Sequence, residues 1–500
     1  MINLAGIDIG TSGTKVVLID DTGRILASAY KEYPMAQPRP GWAEQDPELW
    51  WQAAAAGMRE VLTKSGLSGQ EVQAVGLSGQ MHGAVLLDKD YELLRPAILW
   101  CDQRTGAECE WMNEELGTEK LFAWSGNPAL PGFTAPKLLW LRRHEPEIYA
   151  RIKHVLLPKD YVRWRLTGEL ATEVSDASGT LLLDVTKRRW SEEMLAALAI
   201  PRAWLPPVYE STEISGWVTP VASSLTGLKP GTAVVGGGGD QAAGAVGAGI
   251  VESGLLSVAL GTSGVVFAAA DEAQILPGSG LHSFCHALPG KWHLMGVMLA
   301  AGASLQWLRQ TLACKTSYDS LTALAAGVKA GSEGLLYLPY LLGERTPYPD
   351  PAARGGFIGL TMRHGQGHLV RAVLEGVTYG LRDSLELIKE AGVPAAEIRV
   401  SGGGARSALW RQIVADIFQA PVTVVNSTEG PAFGAALLAG TGIGVYASVA
   451  EACGKTVRVE SRQEPDLSAG ETYEKGYALY RSLYPLLRET MHGLATEFEN

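Results

Sequence analysis

The chain has 500 residues, 46% of them apolar and 19% charged, and a net charge of −11. That length holds more than one hydrophobic core, and the acidic balance argues against nucleic acid or an anionic membrane as a partner. Five cysteines (101, 109, 285, 314, 453) form no CxxC pair, and Asp8 interrupts the one early apolar run. The expectation is a cytoplasmic protein with reduced thiols, no signal peptide and no membrane span.

Residues 5–20 read AGIDIGTSGTKVVLID. They predict a β-hairpin with strand 6–9, turn 10–13 and return strand 15–19. The turn aims backbone N–H groups and the hydroxyls of Thr11 and Ser12 at phosphate oxygens, and Asp8 attracts the accompanying Mg²⁺ through water. An ordinary Gly-rich hairpin is the competing reading. Asp46-Pro47-Glu48 starts a helix whose apolar spacing marks it as core. Strands at 72–77 and 84–87 enclose SGQMHG at 78–83, where Met81 packs on a carbon chain and His82 exchanges hydrogen bonds with a hydroxyl. The alternative is a polar turn with a locally bonded histidine. A strand at 96–100 delivers Trp100 to a sugar face, and Asp102 with Arg104 reads as a structural ion pair.

Helices are predicted to open at 132, 157 and 191, with a polar loop at 175–180. Residues 233–249, AVVGGGGDQAAGAVGAG, form a buried strand, a glycine run and a helix that begins at Asp240-Gln241. A hydroxyl kinase needs a carboxylate that takes the hydroxyl proton as the γ-phosphoryl group arrives, and Asp240 suits it. A Gly-rich linker with an N-cap aspartate is the other reading. Residues 255–268, LLSVALGTSGVVFA, repeat strand, GTSG and strand half a chain later, with Ala259 and Val265 in place of the Asp and Thr. Only the first copy can hold the metal. Residues 295–310 read as a helix, 340–347 as a scaffold loop near the cleft, and 367–390 as a long helix. A strand at 398–400 enters SGGGARS, an adenosine site in this context, with a helix at 430–438 to wall the adenine. The acidic tail from 471 reads as helical.

Residues 6–15, 78–83, 236–241 and 261–264 together resemble the FGGY carbohydrate kinases, and WAEQDP at 42–47, ILW at 98–100 and the stretches 131–140 and 156–161 extend the likeness over nearly the whole chain. The resemblance implies an α/β fold of two actin/hexokinase-like (ribonuclease H-like) domains with an ATP and sugar cleft between them. Residues 1–247 are expected to carry the sugar site and the base, and 248–500 the nucleotide. It further implies that Asp240 is the proton acceptor, and that Asp8 serves Mg²⁺ and the γ-phosphate. Met81, His82, Trp100, Asp240 and Gln241 then face the sugar. Thr11, Ser12, Thr14, Lys15, Gly261, Thr262, Gly302, Gln306, Gly403 and Gly404 face ATP, although for Gly302 a close helix contact is an equal alternative. Glycerol kinases have an Arg-Glu pair where this chain has Met81-His82. The implied reaction is therefore phosphorylation of a ketopentose, D-xylulose at C5. A kinase for another ketose or polyol and a non-catalytic sugar sensor are the rivals, and a homodimer is the assembly considered.

Overall fold

The computed structural model describes residues 2–312, 316–426 and 429–498; Cys314 lies outside them. The other four cysteines are free thiols. Among the described residues the chain builds two seven-stranded mixed sheets, each flanked by helices. The first runs Ile214–Trp217, Ala233–Val235, Val72–Gly79, Asn3–Ile9, Gly13–Asp20 and Ile25–Glu32, with Gly238–Gly239 paired beside Val72–Gly79. The second runs His282–Cys285, Trp292–Met298, Gly264–Ala270, Gly254–Leu260, Ala395–Ser401, Val422–Val425 and Val459–Gln463.

The two sheets repeat one plan. In each, a first strand pairs in parallel with a later one (Asn3–Ile9 with Val72–Gly79; Gly254–Leu260 with Ala395–Ser401) and antiparallel with the return arm of its GTSG hairpin. The hairpins are nevertheless not copies in detail. In the first, Asp8 lies opposite Lys15 and Ile9 opposite Thr14, so Gly10 faces Gly13 and the Gly10 N–H donates to the Gly13 carbonyl at 3.1 Å. In the second, Ala259 lies opposite Val265 and Leu260 opposite Gly264. The pairing is one residue out of step, so identical turn sequences present different backbones.

A helix from the second half of the chain, Gly430–Gly442, packs on the first sheet. A Cβ on Gly6 would fall 1.8 Å from the Ala432 carbonyl oxygen, and one on Gly76 would fall 1.9 Å from that of Ala435. The same helix crosses Asp240–Gly247, where a Cβ on Gly434 would sit 1.8 Å from the Ala243 carbonyl. Backbone therefore meets backbone at the seam between the halves. This corrects the expected adenine wall: among the described residues the helix belongs to the seam and contributes nothing to the large cavity of the second half.

Two further expectations change. Residues 295–310 do not form one helix; Trp292–Met298 is a strand between two others and the helix is Gly302–Leu312. A short apolar run buried on both faces has no period to separate strand from helix. Residues 175–180 are not a loop, since Val174–Ser178 is a helical turn. Glu173 caps it, accepting from the Ser175 and Asp176 N–H groups at 2.8 Å each.

Candidate active site

The first sheet brings Asp8 and Asp240 to one place. Asp8 ends its strand beside Ser78, and Asp240 opens the helix that follows Gly238–Gly239, which pairs with Ser78 and Gly79. Burial pushes the Asp240 carboxyl up to about 7, and the Asp8 charge pushes the same way; the Gln241 backbone and side chain oppose both. Burial also raises Asp8, to about 6, against the Ser78 hydroxyl and the Lys15 ammonium. Two carboxylates that repel each other in a poorly hydrated site are poised to hold a proton or a cation. Asp8 Oδ1 is shut off from solvent and has no hydrogen-bond partner among the described residues. An unpartnered buried carboxylate oxygen fits a divalent cation, which Asp8 would hold.

Behind Asp240 lies a dry polar network. The Gly239 N–H donates to Ser175 Oγ at 3.0 Å, Ser175 Oγ donates to Glu173 Oε1 at 2.9 Å, and Ser211 Oγ donates to Glu173 Oε2 at 2.9 Å. The buried Lys159 ammonium lies 2.8 Å from Asp160 and 3.2 Å from Asp176. These bonds hold the turn that presents Asp240.

The phosphate hairpin and the QMHG loop are tied together. The Trp100 indole N–H donates to Thr11 Oγ1 at 2.9 Å, and Thr11 Oγ1 donates to Gln80 Oε1 at 3.1 Å. Gln45 Nε2 donates to the Thr11 carbonyl at 2.7 Å. Ser12 is exposed at the tip. Lys15 crosses to the other half, with Nζ 2.6 Å from Glu429 Oε2. Thr14 is a different matter: it is wholly buried beneath the turn, its hydroxyl 3.2 Å from that of Tyr33.

His82 sits in the left-handed backbone region at φ 71°. Its carbonyl accepts from Lys137 Nζ at 2.7 Å and Thr134 Oγ1 at 3.0 Å, and its Nδ1 lies 2.5 Å from the Gly179 carbonyl. The ring is thus bonded to backbone, but to a segment 97 residues away rather than locally, and it also lines a small cavity of about 40 Å³. Trp100, Phe133, His282, Phe284 and Arg345 line it too. Met81 does not line this cavity; it packs under the turn, where a Cβ on Gly239 would meet its Sδ at 3.1 Å. Burial drives His82 down to about 3 and holds His282 well below the usual range, so both imidazoles are neutral. Sequence reasoning missed His282, Phe284 and Arg345. The 340–347 stretch reads as scaffold, yet it is fastened to the end of the strand Trp292–Met298, and Arg345 lines a cavity with residues of the first half.

In the second half, Gly261, Thr262, Gly302, Gln306, Gly403 and Gly404 come together around one cavity of about 750 Å³ that also takes in Tyr318 and Trp410. All six sequence-predicted positions of that half meet there. Gly403 has nothing within 4 Å of its missing Cβ and faces open space, as a nucleotide floor requires. Gly302 is needed for packing as well: its N–H donates to the Gly261 carbonyl at 2.8 Å, and a Cβ would lie 2.5 Å from that oxygen.

Among the described residues no helix is long and apolar enough to cross a membrane. Residues 3–247 match the N-terminal domain of the FGGY family of carbohydrate kinases and residues 256–443 its C-terminal domain. The chain is 44% identical to the xylulose kinase of Escherichia coli over 97% of its length and 99% of that protein's. It is 40% identical to the xylulose kinase of Bacillus subtilis over 96% of each chain. The crystal structure of the xylulose kinase from Rhodospirillum rubrum superposes with a TM-score of 0.93 at 34% identity, covering 98% of this chain and all of that one (100%). The chain belongs to the FGGY family of carbohydrate kinases.

Proposed function

We propose that this protein transfers the γ-phosphoryl group of ATP to the C5 hydroxyl of D-xylulose, with the first half (1–247) holding the sugar and the second (248–500) the nucleotide. One observation carries the reading: the raised carboxylate of Asp240 lies beside Asp8 and follows Gly239, which packs on Met81 next to His82, while the nucleotide-sized cavity belongs to the second half. Full-length relatives of the same family that carry the name xylulose kinase support the choice of sugar.

In this reading Asp240 accepts the proton of the attacking hydroxyl. Its elevated pKa strengthens it as a base at neutral pH, and the Ser175–Gly239 bond keeps it in place. The Gly10–Gly13 turn, with Ser12 and Lys15, orients the phosphates, and Asp8 holds the Mg²⁺ that arrives with ATP. That ion neutralises charge on the transferring group when bound. Trp100 and His82 hold the sugar, and closing the two halves keeps water from competing for the phosphoryl group. The product tests the position of transfer: two-dimensional ³¹P–¹H spectra should couple phosphorus to the C5 methylene protons. Coupling to the C1 protons would reverse the orientation of the sugar.

A further inference from the structure

Arg345 has no hydrogen bond to its guanidinium and no ion pair among the described residues, although it lines the cavity that His82, Trp100, Phe133 and Phe284 enclose. Glu344 is the acid that acts on its charge, with no ion pair between the two among the described residues. The imidazoles of His82 and His282 are held uncharged, and both feel the Arg345 charge. The adjacent Glu344 carboxyl faces the other way, accepting from the Leu299 N–H at 3.2 Å and the Arg345 N–H at 2.7 Å. Burial raises that carboxyl to about 8, so it too is protonated at neutral pH. The segment is also fixed: the Thr346 N–H donates to the Val297 carbonyl at 3.1 Å, the Val297 N–H donates to Thr346 Oγ1 at 3.1 Å, and that hydroxyl donates to the Gly280 carbonyl at 2.9 Å. A half-buried guanidinium presented rigidly into a small, aromatic-walled cavity, with no protein acceptor among the described residues, is free to donate to a ligand that enters.

We propose that Arg345 is a specificity-determining residue, donated by the second half of the chain, that grips the C2 ketone oxygen of the substrate, and that the same pocket therefore binds five-carbon polyhydroxy carboxylates (aldonates). The inference rests on the ketopentose reading above. A guanidinium only donates; a ketone oxygen only accepts, and a carboxylate accepts through two oxygens that match the guanidinium fork. A polyol offers only hydroxyl oxygens, which also accept but carry no charge and no paired geometry to match the fork, so it gains less from the guanidinium. The cavity of about 40 Å³ takes only one end of such a molecule.

The test compares wild type with Arg345→Gln and Arg345→Lys, using D-xylulose, xylitol and D-xylonate. D-xylonate should bind the wild type in calorimetry and compete with the sugar. In Arg345→Gln, xylonate affinity and the KM for xylulose should each worsen about 10- to 100-fold, the range for a lost charge-assisted hydrogen bond. The KM for ATP and, where xylitol is a substrate, its KM should stay within about twofold on the same arithmetic. Arg345→Lys, which keeps the charge without the planar fork, should fall between the two and guards against misfolding of the Gln variant. Unchanged xylonate binding in Arg345→Gln, or an equal rise in KM for xylulose and xylitol, would overturn the assignment. Calorimetry needs no turnover, so failure of the ketopentose reading appears separately, as a wild type that binds xylonate but does not phosphorylate xylulose.

Discussion

His82 donates its Nδ1–H to the carbonyl of Gly179 across 2.5 Å. A carbonyl only accepts, so this bond assigns the tautomer and leaves Nε2 as an acceptor for a sugar hydroxyl. With the ring pushed down to about 3, that acceptor persists at any working pH. His82→Asn tolerates the left-handed backbone and keeps a donor toward Gly179, but it loses the Nε2 acceptor. The KM for xylulose should rise by about threefold to tenfold, the cost of one neutral hydrogen bond. Tm and the KM for ATP should hold. A drop in Tm with unchanged sugar kinetics would leave His82 a structural residue only.

Asp240→Asn removes the base while keeping the shape. We expect kcat to fall about 10²- to 10⁴-fold with sugar affinity retained. The stability effect has the opposite sign. Asp240 binds its proton more tightly in the folded state, at about 7, than at the ordinary 3.8. Its stabilising contribution is therefore complete below about pH 4 and lost as pH rises through 7. At pH 8 the Asn variant should melt at a higher temperature than the wild type. An equal or lower Tm would contradict the desolvated carboxylate.

The same proton sets a pH profile. kcat/KM should decline on the acid side with an apparent pKa near 7. Part of that elevation comes from the Asp8 charge, so the residual activity of Asp8→Asn should show the acid limb at lower pH. That variant should also respond weakly to Mg²⁺ and bind xylulose normally by calorimetry. Loss of sugar binding with intact ATP binding would put Asp8 in the sugar pocket.

Gly76→Ala strikes the seam between the halves. The added methyl would lie 1.9 Å from the Ala435 carbonyl, where backbone must move. Chemical denaturation should register a loss of about 1–3 kcal/mol or more, the usual cost of overpacking. Wild-type stability would show that the Gly430–Gly442 helix is free to shift.

The two GTSG hairpins, the glycine run before Asp240 and most of the six residues that meet at the second-half cavity were legible because turns and close backbone approaches demand particular residue types. Other features were not. Thr14 and Thr11 are alike in sequence, and only strand alternation buries Thr14 against Tyr33 while Thr11 bridges Trp100 and Gln80. Arg345 carries no local signal, since its place in the cavity depends on how the 340–347 segment is fastened to a distant strand. The one-residue difference in hairpin register is invisible in two identical GTSG strings. The strand at 292–298 was hidden by an apolar run without periodicity.

Sugar-dependent phosphoryl transfer is read out by ADP release measured in parallel with D-xylulose, other ketopentoses, pentitols, glycerol and no sugar. We predict the highest kcat/KM with D-xylulose and only slow release in the blank. Release independent of sugar would reduce the protein to an ATPase, and a higher kcat/KM for glycerol or a pentitol would contradict the substrate.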